Sequence, residues 1–117
     1  MLVFAGGRSG GELVVDLRGQ VVTPGRFVGP AHWYAPGENL PPDSVILVRG
    51  AVSAEIVLQL RTTRAVASSG GGRSSHASIL MRQFDVPCLV GVGALDTIVE
   101  GTMLELDAFS GVLRVIA

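Results

Sequence analysis

SGGGRSSHASILMRQFDVPCLVG, residues Ser69 to Gly91, decides how this chain is read. Its order is a glycine turn, a pair of hydroxyls, a histidine, a short helix and a buried strand. Gly70, Gly71 and Gly72 reach positive φ without a Cβ penalty, so backbone amides there can curl toward an anion. Ser75 stands where an N-cap belongs, just before Ala77, Ile79, Leu80 and Met81, which favour a helix. That puts His76 in the first turn, among amide donors with no intrahelical partner. Pro87 to Val92 then reads as a buried strand.

The positive end of the helix dipole disfavours a second positive charge, which biases the imidazole toward its neutral, nucleophilic form. The same end stabilises an exposed anion by about 0.3–1 kcal/mol. A neutral histidine beside amides that suit phosphate is a coherent phosphoryl acceptor. From position alone, a capping or half-buried structural histidine is the commoner case, since perturbed residues also occur away from active sites.

The whole string is more specific than the position. Gly71-Gly72-Arg73-Ser74-Ser75-His76-Ala77, followed by Ile79, Arg82 and Pro87, closely resembles the signature of the phosphohistidine swivelling (mobile) domain of phosphoenolpyruvate-utilising enzymes, the pyruvate phosphate dikinase and phosphoenolpyruvate synthase family. The resemblance implies an α/β fold, a swivelling β/β/α domain of packed β-sheets with a few short helices, and a phosphoacceptor histidine at a helix N-terminus. It makes His76 the residue that carries the phosphoryl group, with Gly71, Gly72, Arg73, Ser74 and Ser75 binding the phosphate. Ser74 corresponds to a hydroxyl whose phosphorylation switches off some dikinases and synthases. Two positions depart from the family pattern, Asp85 for its usual Gly and Met81 for its usual Ala; both touch packing or the helix exit, not the chemistry.

The resemblance runs from Leu17 to the C-terminus. It divides the chain into residues 1–16, an N-terminal extension, linker or hairpin, and residues 17–117, the swivelling domain. It also implies partners on another chain or in a longer parent: an ATP-grasp nucleotide-binding domain, a phosphoenolpyruvate- or pyruvate-binding barrel, or both. Mg²⁺ with ATP or phosphoenolpyruvate serves those partners, and no metal or cofactor is expected on this chain itself.

Composition narrows the function classes. The 117 residues are 48% hydrophobic, enough for one domain with a single core. No apolar run approaches the ~20 residues that span a membrane, and the opening MLVFAGGRSGG lacks the basic start of a secretory signal, so a cytoplasmic protein is expected. Nine basic and ten acidic groups leave no basic stripe for nucleic acid. All nine basic residues are arginine, which removes a P-loop lysine and a Schiff-base lysine together. The single cysteine, Cys88, sits inside a strand-like run and reads as a small buried residue.

Along the rest of the chain, residues 17–34 alternate short β-rich pieces with Gly and Pro punctuation. His32 reads there as a surface strand residue without a ligand set, and Trp33 and Tyr34 as packing groups. Val45 to Val48 and Ala65 to Ala67 are continuous apolar runs, hence buried strands. Ser53 caps a helix from Ala54 to about Leu60, with Ile56, Val57 and Leu60 on its apolar stripe. Thr102 to Asp107 alternates apolar and acidic residues, a half-exposed strand with Glu105 and Asp107 on a solvated face, and a last strand follows at Val112 to Ile116. On the helix after the glycine loop, Ser78, Arg82 and Asp85 share the polar side, with Arg82 and Asp85 placed for an ion pair.

Two function classes follow. One is a phosphoryl carrier, a domain or subunit of a phosphoenolpyruvate-utilising phosphotransferase in which His76 is transiently phosphorylated. The other is a non-catalytic interaction module that keeps the fold without the transfer. The final phosphoryl acceptor and the oligomeric state are not encoded in any motif.

Overall fold

Val45–Val48, Ala65–Ser68 and Cys88–Val90 are buried along their whole length. Apolar runs without polar alternation must be covered on both faces, the signature of parallel strands at a domain centre. A computed structural model, which describes residues 2–4, 13–53, 56, 59, 62–72 and 75–116, places them there. Its elements in order are β1 (Leu2–Phe4), β2 (Leu13–Arg18), β3 (Gln20–Thr23), β4 (Arg26–Trp33), β5 (Val45–Val48), β6 (Ala65–Ser68), helix α1 (His76–Gln83), β7 (Cys88–Val90), a 3-10 turn (Leu95–Thr97), β8 (Met103–Asp107) and β9 (Val112–Val115). The strands run β1-β2-β9-β8-β4-β5-β6-β7-β3 across a mixed sheet.

One strand joins two halves of different character. Arg26 to Pro30 of β4 pairs antiparallel with β8, whereas Ala31 to Trp33 pairs parallel with β5. Pro30 sits at the change of partner, where its missing N–H removes a ladder bond least expensively. The sequence pattern reads this Gly-Pro pair as punctuation between short pieces; instead it is a continuous strand that changes neighbours. Parallel pairing continues through β5, β6 and β7, and β3 closes that edge antiparallel to β7. Residues 2–4 and 13–16 supply β1 and the start of β2, which pairs with β9 from Val15 to Arg18.

Two cores lie on opposite faces of the parallel strands. Val45 and Leu47 point toward Leu104, Leu106 and Leu113 of the antiparallel half, closed by Leu95 and Ile98. Ile46 and Val48 point the other way, toward Ile56, Ala77 and Met81. Period-two alternation therefore produces an antiparallel layer, a parallel layer and a helical layer. The helical layer consists of α1 and a second segment in which Ile56 and Gln59 are helical; Val57 and Leu60 lie outside the described residues. The outward face of the antiparallel half carries Arg26 against Asp107 and Glu105, and Arg114 against Asp16 and Glu105. Such exposed pairs contribute little each. Among the described residues no helix is long and apolar enough to cross a membrane.

Helix α1 is delimited at both ends by backbone chemistry. At its exit Val86 N donates to Met81 O (3.2 Å), Asp85 N donates to Arg82 O (3.2 Å), and Asp85 has φ 57°. That is a Schellman stop with Asp in the left-handed position, and Met81 and Val86 share the core beside it.

Candidate functional site

The loops at the carboxyl ends of β5 and β6 are fastened to one another. Gly50 N donates to Ser69 Oγ (2.7 Å) and Gly70 N to Gly50 O (3.0 Å). A Cβ on Gly70 would stand 3.0 Å from the Gly50 carbonyl carbon, tighter than side chains ordinarily pack, so the close approach favours a glycine. Gly71 takes φ 86°, the turn that sends the chain toward α1. Gly70 and Gly72 do not adopt positive φ, so the three glycines serve different ends.

The start of α1 is built from a chain of hydroxyls. Ser75 is the N-cap, and its Oγ accepts from Ser78 N (3.1 Å). Ser75 Oγ donates to Ser78 Oγ (2.9 Å), which donates in turn to Gly72 O (2.7 Å). Ser75 N donates to Gly72 O as well (3.2 Å). The Gly72 end of the glycine turn is thereby tied to the first turn of the helix, and the Ser75 hydroxyl is bonded inward. The amides of His76 and Ala77, the first two helical positions, have no carbonyl within the helix to bond. His76 is exposed at this tip, while Ala77, Ser78 and Met81 are buried. Arg73 and Ser74 lie outside the described residues.

One reading of a side chain is corrected here. Ser78, assigned to the polar side, is fully buried because Gly72 O gives its hydroxyl a partner. Ile79 in contrast is 45% exposed. Arg82 reaches across to β3, where its Nε donates to Val22 O (3.2 Å).

His32 lies on strand β4, partly exposed. Its Nε2 lies 2.8 Å from Glu38 Oε1 and its Nδ1 2.8 Å from Glu100 Oε2. The two carboxylates flank opposite ring nitrogens, and among the described residues no group of three His, Cys, Asp or Glu is placed to hold a metal ion. Burial draws the His32 pKa down, but the hydrogen bonds to Glu38 and Glu100 and their charges outweigh it, so it lies above the ordinary value of 6.5. Only the imidazolium donates to both partners; a neutral ring would turn a lone pair on one of them. A pKa raised by folding contributes stability that is complete below the unfolded value and lost as pH rises through the folded one. The melting temperature should therefore fall as pH rises past the ordinary histidine value of about 6.5 in the native protein, and less steeply in His32→Gln. Identical pH profiles for the two proteins would remove His32 from the account.

Against this geometry, residues 41–111 match the family model described as PEP-utilising enzyme, mobile domain. The chain belongs to that family. This mobile domain is 30% identical over 110 residues to phosphoenolpyruvate synthase of Synechocystis sp., covering 93% of the chain but 12% of that protein's length. The domain thus spans a small part of the curated relative it matches. Solved structures share the fold at low identity. An aconitase X structure from Thermococcus kodakaraensis superposes with a TM-score of 0.66 at 16% identity, over 88% of this chain and 99% of that one. An Enzyme I structure (nEIt) gives 0.56 at 24% identity, over 66% of this chain and 32% of that one. The membership supports a phosphotransfer role for the domain.

Proposed function

We propose that this chain is a phosphoryl carrier and that His76 is its acceptor. The observation that carries the reading is an exposed histidine at the first position of α1, beside two backbone amides without intrahelical partners, in a phosphoenolpyruvate-utiliser mobile domain. In the forward step the lone pair of an unprotonated ring nitrogen forms the N–P bond. The P–O bond to the leaving group breaks, and the other ring nitrogen releases its proton to solvent. The positive end of the helix favours the incoming charge. The amides of Gly71 and Gly72, with Arg73, Ser74 and Ser75, orient and neutralise the phosphoryl oxygens. For Ser75, a direct contact requires its hydroxyl to turn away from Ser78.

In this reading the β/β/α layers form a swivelling body whose tip meets two partners in turn: an ATP-grasp domain or a phosphoenolpyruvate-binding barrel, with Mg²⁺ held by those partners. Phosphorylation of Ser74 would set a negative charge against the incoming group and switch the carrier off. Incubation with labelled phosphoenolpyruvate or ATP, Mg²⁺ and candidate partner domains should place base-stable, acid-labile label on this chain. Absence of label with every partner that is itself active would refute the proposal.

A further inference from the structure

A cleft of about 460 Å³ opens at the carboxyl ends of the parallel strands, the place where such sheets receive ligands. Trp33 contributes from the end of β4, Arg49 from beyond β5, Ser69 from beyond β6, and Gly93, Ala94 and Asp96 from beyond β7. Its lining does not include His76.

Arg49 is the distinctive group. Its Cζ lies 3.9 Å from the Trp33 ring centroid, a cation–π contact. Trp33 is itself fixed, its amide donating to Glu100 Oε1 (2.8 Å) and its indole N–H to Ile98 O (2.8 Å). The guanidinium is therefore held in place by an aromatic face, and among the described residues it has no carboxylate partner. Ser69 Oγ accepts from Gly50 N, which leaves its O–H proton to donate elsewhere. Ala94 adopts φ 56°, a backbone conformation that a non-glycine residue rarely holds and that recurs at ligand sites.

We propose that this cleft binds a small molecule through an oxyanion, gripped by Arg49 and Ser69, with a hydroxyl or amine at the ligand's other end donating to Asp96. The planar fork of an arginine matches the oxygens of phosphate and of carboxylate. Asp96 sets the orientation, because it repels a ligand that is anionic at both ends.

Trp33 is the only tryptophan of the chain, so its fluorescence reports on the site directly. Inorganic phosphate and glycolate are titrated separately, at an ionic strength fixed with chloride, and the amide resonances of Gly93 and Ala94 are followed in parallel. The expected result is a saturable change with at least one probe, weakened about tenfold or more in Arg49→Gln without a shift in that variant's unfolding midpoint. Saturation by phosphate alone assigns the anion as phosphate, and by glycolate alone as carboxylate. Saturation with neither probe in either readout, or an undiminished affinity in Arg49→Gln, overturns the proposal. Binding in the cleft is scored without labelling His76, so failure here leaves the carrier reading standing, and the reverse.

Discussion

Replacing His76 by Ala is expected to abolish phosphoryl transfer to this chain outright, with the fold intact. The side chain is exposed, so its truncation removes almost no packing and should change stability by no more than about 0.5 kcal/mol. The chemistry has no such tolerance: alanine offers no lone pair to form an N–P bond, and the neighbouring hydroxyls are weak nucleophiles without an adjacent base. The Ser75 and Ser78 hydroxyls are bonded to each other and to Gly72 O. Label from phosphoenolpyruvate or ATP should fall to background in this variant while its urea midpoint stays in place. An interaction module would behave differently, binding its partner equally well with and without the imidazole. Retained acid-labile label in His76→Ala would assign the acceptor elsewhere.

Met81→Ala carries the largest expected cost in stability, about 2–5 kcal/mol. Met81 is fully buried and packs in the core between the helical and parallel layers. Its backbone carbonyl also accepts from Val86 N at the helix exit. Truncation leaves a void that the neighbouring layers can close only partly. For a domain of this size the melting temperature should drop by roughly 10 °C or more, with an unchanged m-value in urea. Because Met81 anchors the body of α1, this variant tests how firmly the tip with His76 is held. A loss below about 1 kcal/mol would mean that the helix is fixed mainly by its caps.

The parts legible in the sequence share a physical origin: short-range pattern decides them. Val45 to Val48 has no polar interruption, and it is a central strand buried on both faces. The alternation in Met103 to Asp107 gives the half-exposed strand β8. Ser75 caps the helix and Asp85 takes the left-handed stop, each determined within a few residues. Other features depend on partners remote in the chain. Ser78 reads as a surface serine until the glycine turn folds back and presents Gly72 O. His32 meets Glu100 across 68 positions, and Trp33 comes under Arg49 only because β4 pairs with β5. The passage of β4 between two neighbours is similarly invisible, since Gly and Pro spell a break in most strands.

The central claim, that a freely reachable imidazole at the start of α1 takes up a phosphoryl group, is tested most directly by chemical phosphorylation with phosphoramidate. A ring nitrogen attacks phosphorus, the P–N bond of the reagent breaks and ammonia leaves, so no partner domain is required. The chain supplies its own control, having two histidines: one exposed, the other with both nitrogens held at 2.8 Å by carboxylates. Peptide mass spectrometry with ³¹P NMR should find one base-stable, acid-labile phosphoryl group, on His76, with His32 unmodified. A protein that stays unmodified at His76, or reacts at His32 instead, would contradict the account.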